Sequence, residues 1–205
     1  GSNTAVFSVT YSVLMRGLPY DAPERVFAVM PSPLTLAEGE WVVDPEVADL
    51  PFVDEAALYV GGGGANLTQD GVSSRVTLAQ VTERFFDVLG VEPLLGSGLG
   101  GAGQDPHIVV LSHGFWVRGF GGAPEVVGRR VELNGQSYQV SGVMPAEVEF
   151  PSNVDLWAPF PTVGEFYGGA FGPEGLLRLV HGADAGTLRS VVEARLAADY
   201  ADVEG

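Results

Sequence analysis

Residues 126–143, VVGRRVELNGQSYQVSGV, decide how the fold is read. Two runs of alternating character, 126–133 and 136–143, meet at Asn134-Gly135. Asn and Gly tolerate the positive φ that both central residues of a type I′ turn require, so the stretch predicts a tight β-hairpin. Immediately before it, residues 107–111 are a compact apolar run that predicts a strand. Ser112 is placed to cap a helix whose apolar side is Phe115, Trp116 and Phe120, and Gly121-Gly122 ends that helix.

Farther upstream, Thr82 is placed to cap a short helix through Phe85, Phe86 and Leu89, closed by Gly90. Residues 56–61, 66–68 and 73–81 predict strands, divided by Gly61-Gly62-Gly63-Gly64 and by a turn at Asp70-Gly71. Residues 31–51 are acidic and weakly patterned, with a short helix expected over 44–50, where Pro45 suits the first helical position. A strand is expected over 25–30. Residues 5–15, AVFSVTYSVLM, are apolar on nearly every side and read as a buried helix or the outer end of a membrane helix, stopped by Gly17, Pro19 and Pro23. Downstream of the hairpin, a strand is expected over 176–181 and a helix over 187–200, on the spacing of Leu188, Val191, Val192, Arg195 and Leu196. Strands and helices follow one another without regular alternation, and no repeat at a fixed period is visible, so the fold class is α+β.

The 205 residues suffice for one large domain or two small packed subdomains, and a 46% hydrophobic content is enough for a core. All ten basic residues are Arg, against 26 acidic ones, for a net charge of -16. Such a field repels phosphate backbones and anionic headgroups, which argues against nucleic-acid binding. The absence of Cys excludes a disulfide scaffold, thiolate metal sites and thiol catalysis. No run approaches the roughly 20 apolar residues needed to span a bilayer. Gly1-Ser2-Asn3 has the small polar look of a cloning remnant, so the chain is expected to be an excised piece of a longer protein.

The residues with catalytic or ligating potential have structural roles at hand. Gly96 to Gly103 is glycine-rich, yet no Walker Lys accompanies it, and a turn is the better reading. His107, His113 and His181 lack the i, i+4 spacing of a metal-binding pair. Ser112 beside His113 lacks the flanking glycines of a nucleophile elbow, which leaves helix capping. The carboxylate pairs Asp44 with Glu46, Asp54 with Glu55, and Glu147 with Glu149 have no partner that would set one as acid and the other as base, and solvated faces account for them. The aromatic residues Phe85, Phe86, Phe115, Trp116, Phe120, Tyr138, Phe150 and Trp157 are expected to fill the core. No catalytic, cofactor-binding or metal residue is assigned, and no cofactor is expected.

Four stretches, taken in order, carry a resemblance: NTAVFSVTYSVLMRGLPYDAPERVFAV (3–29), VTERFFDVLGVEPLLGSGL (81–99), HIVVLSHGFWVRGFGGAPEVVGRRVELNGQSYQVSGVMPAEVEFP (107–151) and VDLWAPF (154–160). GLLRLVHGADAGTLRSVVEARLA (175–197) adds a strand and helix of the form R-L-x-x-G. Together they resemble the MacB-like periplasmic core domain of ABC transporter permeases, including the acidobacterial-type permease group. The resemblance implies a porter-like α+β subdomain built from both chain ends, 1–81 and 166–205, with a smaller β-rich sabre-like subdomain, 82–165, inserted between them. It also implies a non-catalytic domain on the periplasmic, extracytoplasmic face of the bacterial inner membrane. There residues 4–15 would continue a first membrane helix as a stalk. The implied partners are the protein's own transmembrane helices, a cytoplasmic ATPase subunit or domain and a periplasmic adaptor. The full permease would be dimeric and the isolated domain monomeric. The implied role is passing ATP-driven motion to substrate or adaptor, in efflux or in lipoprotein or peptide export. The alternative from another class is a periplasmic ligand-binding or sensing domain with a cleft between the subdomains.

Overall fold

The structure, a computed structural model, describes residues 8–10, 20–30, 34–37, 40–43, 45–99, 106–160, 173–183 and 186–191. In chain order its elements are β1 (Ser8–Thr10), β2 (Val26–Met30), β3 (Leu34–Ala37), β4 (Glu40–Val43), α1 (Pro45–Ala48), β5 (Val53–Gln69) and β6 (Val72–Val81). There follow α2 (Phe85–Leu89), β7 (Leu95–Gly96), β8 (Ile108–Leu111), α3 (His113–Phe120), β9 (Arg130–Leu133), β10 (Gln136–Val143), β11 (Leu156–Pro159), β12 (Glu174–Leu179) and α4 (186–191). The class is α+β.

β5 organises the sheet. Its first half pairs antiparallel with β12, its second half reaches β9, and β6 returns along its other edge. The order across the sheet is β1, β2, β12, β5, β6, β11, β8, β10, β7, while β9 joins β10 to β5. That last link closes β5, β6, β11, β8, β10 and β9 into a ring. β3 and β4 pair as a separate two-stranded sheet.

Three apolar clusters follow from the strand faces. All six ring strands contribute to one, including Leu67, Leu78, Val109, Leu133, Val140 and Leu156, and α3 adds Phe115 and Phe120. On the opposite sheet face α2 supplies Phe85, Phe86, Val88 and Leu89 to a second cluster with Tyr59, Val81, Trp157 and Leu176. The third joins Phe27, Val29, Val47, Leu177, Leu179 and Leu188. β12 is therefore covered on both faces, by α2 on the side of Leu176 and by α1 and α4 on the side of Leu177 and Leu179.

The Gly61 to Gly64 run does not divide two strands, as its composition suggested. It lies inside the 17-residue β5 and carries a bulge, since the register with β6 steps from Val60↔Gln80 to Gly63↔Leu78. One extra residue inverts side-chain parity. Ala57 and Tyr59 before the bulge face the α2 cluster, and Ala65 and Leu67 after it face the ring cluster. Gly62 has φ +81°, and a Cβ on Gly64 would lie 2.3 Å from an Arg75 guanidinium nitrogen.

Residues 8–10 are a strand paired with β2, Val9 opposite Val29, and are not helical. The alternation Phe7-Ser8-Val9-Thr10-Tyr11-Ser12-Val13 has the period of two that a strand requires. The rest of the expected N-terminal helix and stalk lies outside the described residues. The β3–β4 hairpin appears within 31–51, where only the α1 helix was expected. Thr82 does not cap α2 with its side chain; its Oγ1 accepts the Leu58 N–H at 2.9 Å, and its carbonyl accepts from Phe85. Gly90 ends α2 with φ +68° as expected. The Asn134-Gly135 turn has φ of +50° and +83° and joins β9 to β10 in the expected register, although β9 begins only at Arg130, after a 3₁₀ turn at Pro124–Val126. The helix expected over 187–200 is present at 186–191, and its remainder lies outside the described residues.

Candidate functional site

Two places combine unusual chemistry with a position that function can use: a buried arginine where the chain-end strands meet α2, and the exposed β5–β6 hairpin tip. The first is set by β12. The run Leu176-Leu177-Arg178-Leu179 is buried throughout, and alternation puts Arg178 on the α2 side, where it is 5% exposed. A charge removed from water needs several hydrogen bonds. Arg178 Nε donates to Val88 O at 2.7 Å, near the C-terminal end of α2, and Nη1 donates to Asp21 O at 2.9 Å. Among the described residues Nη2 has no hydrogen-bond partner, and it lies over Gly90, where a Cβ would come within 2.6 Å of it. Burial lowers the Arg178 pKa and the neighbouring Arg25 cation adds to that effect, while Asp21, Asp54 and Glu24 oppose both.

Arg25 makes the reciprocal tie. Its Nε donates to Leu179 O at 2.6 Å, and its Nη2 lies 2.7 Å from Asp54 Oδ2 on β5. Residues 20–25 are thus bound to β12 from both directions, and β12 is bound to α2. Close by, Tyr59 donates its hydroxyl to Glu174 across the β5–β12 pair. Burial first, and then this bond and the Glu174 charge, push the Tyr59 hydroxyl pKa far above the usual phenol range. Tyr20 is likewise raised by burial, partly offset by N–H groups of Glu149 and Phe150.

At the other end of β5 the turn Asp70-Gly71 leaves Val72 71% exposed. Asp70 is tied at 3.1 Å to Arg129, which precedes β9. Asn66 and Asn134 close the ring reciprocally, since Asn134 N donates to Asn66 O and Asn66 N to Asn134 Oδ1, both at 2.9 Å.

The residues weighed for chemistry are dispersed, and several are engaged in structure. Ser112 Oγ accepts the Phe115 N–H at 3.3 Å, the capping role expected of it, while the His113 ring packs edge-on to Trp116. His107 Nε2 lies 2.7 Å from Gln136 Nε2, and His181 is exposed beyond β12. Asp54 pairs with Arg25 and Glu55 with Arg84, so these neighbours face different partners. Glu147 and Glu149 are exposed; Asp44, the Glu46 side chain and residues 100–103 lie outside the described residues. The aromatic expectation holds for Phe85, Phe86, Phe115, Phe120 and Trp157, which are buried, whereas Trp116, Tyr138 and Phe150 are only partly covered. The sequence reading did not single out Arg178. Its signal was one charge inside the otherwise apolar run Leu176 to Val180.

A family model for the MacB-like periplasmic core domain matches residues 1–198. The chain belongs to this family. MacB-like periplasmic core domains are extracytoplasmic parts of ABC transporter permeases, and the fold agrees with solved examples. The periplasmic region of MacB from Actinobacillus actinomycetemcomitans matches with TM-score 0.61 and 18% identity over 75% of this chain and 70% of that one. A domain of a putative permease protein from Porphyromonas gingivalis matches with TM-score 0.60 and 18% identity, over 87% and 86%. The extracellular domain of the noncanonic ABC-type transporter YknZ from Gram-positive bacteria gives 0.52 and 14%, over 71% and 73%. No curated protein matches significantly. Among the described residues no helix of this MacB-like domain is long and apolar enough to cross a membrane.

Proposed function

We propose that this MacB-like domain is a non-catalytic module that passes ATP-driven motion of a permease to a substrate or a periplasmic adaptor, in efflux or in export of lipoproteins or peptides. Family membership over residues 1–198 is the observation that carries the reading. The chain would divide into a porter-like part, 1–81 and 166–205, and a sabre-like insert, 82–165. Support for transmission comes from β5, which continues unbroken from the β12 pairing at Val53 to the β9 pairing at Thr68. At roughly 3.3 Å per residue, its 17 residues reach on the order of 55 Å. The β12 pairing and the hairpin tip therefore lie on a single strand.

The permease reconstituted with its ATPase partner tests the role. With residues 20–183 deleted, ATP hydrolysis should persist while ATP-dependent movement of a dye or peptide cargo across the vesicle membrane stops. Undiminished cargo movement after the deletion would contradict the proposal.

A further inference from the structure

We propose that Arg178 is the coupling residue of the domain, a buried clamp that makes α2 follow residues 20–25 and β12 when the chain-end layer is displaced. The inference rests on the motion-transmitting role proposed above and names the contact through which motion passes. Three pieces of chain distant in sequence meet at one guanidinium: Asp21, Val88 and Arg178 itself. Arg25 doubles the link between the first and third through Leu179 O. α2 is the receiving part, because its four apolar side chains lie in the cluster that includes Ala79 and Val81 of β6, Ile108 and Val110 of β8, and Trp157 of β11. Those strands belong to the ring whose far end carries the exposed Val72. A displacement of β12 therefore reaches the ring along β5 and also through Arg178 and α2.

Several details fit a clamp better than simple core filling. An apolar side chain would suffice to fill the site, and buried charges are weak contributors to stability. The planar fork fixes two carbonyls in one geometry, which a Lys at this site would not reproduce. Gly90 supplies both the left-handed end of α2 and the space that admits Nη2.

The test uses the permease with its ATPase in lipid vesicles, with a fluorescent label at Val72→Cys or Ser190→Cys and long-range energy-transfer quenchers in the headgroup layer. Both sites are exposed, and this chain has no cysteine of its own. ATP should change quenching at both positions in the otherwise unaltered protein. In Arg178→Met, and independently in Gly90→Ala, the change at 190 should remain and the change at 72 should fall at least twofold. Leu89→Ala, which leaves the clamp and opens a cavity in the same helix, should retain both changes. If Arg178→Met and Gly90→Ala leave the response at 72 intact, or Leu89→Ala loses it equally, the clamp is refuted. If the unaltered protein responds at neither site, or only at 190, the motion-transmitting role itself fails, and the clamp with it.

Discussion

Tyr59 shows how much a single side chain settles here. Its hydroxyl stays protonated because it is buried and because it donates to Glu174, so the folded protein holds this proton at pH values where the unfolded chain releases it. The unfolded phenol titrates near 10. The stability contribution is therefore complete below about pH 10 and declines as pH rises further, because the folded state then binds more protons than the unfolded one. Tyr20 acts in the same direction. Urea midpoints should fall as pH is raised above about 10, and Tyr59→Phe should flatten that fall while costing about 1–2 kcal/mol at neutral pH. Equal slopes in the two proteins would contradict the assignment. Ser112→Ala should cost about 1 kcal/mol through the lost Phe115 cap, measured by the same titration. The Ser112 role was legible in the sequence because a cap is local. The Arg178 partners were not, since Asp21 and Val88 are brought to it only by tertiary packing.

Among elements, the β9–β10 hairpin and the β5 strand mark the two limits of what a sequence discloses. Asn134-Gly135 carries its turn chemistry within two residues and was readable at once. That Asn134 also holds β5 was not, because Asn66 lies on a strand that local pattern had broken at the glycines. Asn134→Gly separates these roles: the turn keeps its geometry, and the Asn66 N–H loses its acceptor. We expect a loss of about 1 kcal/mol and faster hydrogen exchange at Asn66, with the β9–β10 pairing unchanged. Gly61 to Gly64 looked like punctuation because glycine normally weakens a strand, yet here it builds a bulge that turns β5 from one core to another. Gly62→Ala should be destabilising by about 1 kcal/mol through backbone strain, since a Cβ there meets none of the described residues within 4 Å. A neutral result in chemical denaturation would remove the bulge from the account. The strand at 8–10 was missed for the opposite reason: its apolar content masked its alternation.

At the scale of the whole molecule, the net charge of -16 implies self-repulsion that salt should relieve. The thermal midpoint of the isolated domain should rise between about 20 mM and 150 mM NaCl; a fall would indicate that ion pairs such as Arg25 with Asp54 outweigh the repulsion. The class α+β and the family were legible because they rest on ordered motifs spread along the chain. The closed ring was not, because its closing contacts, Leu67↔Leu133 and Thr68↔Glu132, join residues that no local pattern links. Because β5 belongs both to the ring and to the β12 pairing, the chain-end layer and the hairpin tip should move together. The most direct measurement is the distance between spin labels at Val72→Cys and Ser190→Cys in the reconstituted permease, by pulsed electron paramagnetic resonance with and without ATP. With doubly labelled protomers diluted into unlabelled ones, the account predicts one narrow distance, the same in both nucleotide states, while each label changes its separation from the bilayer. A distance that shifts or splits on ATP binding would contradict it.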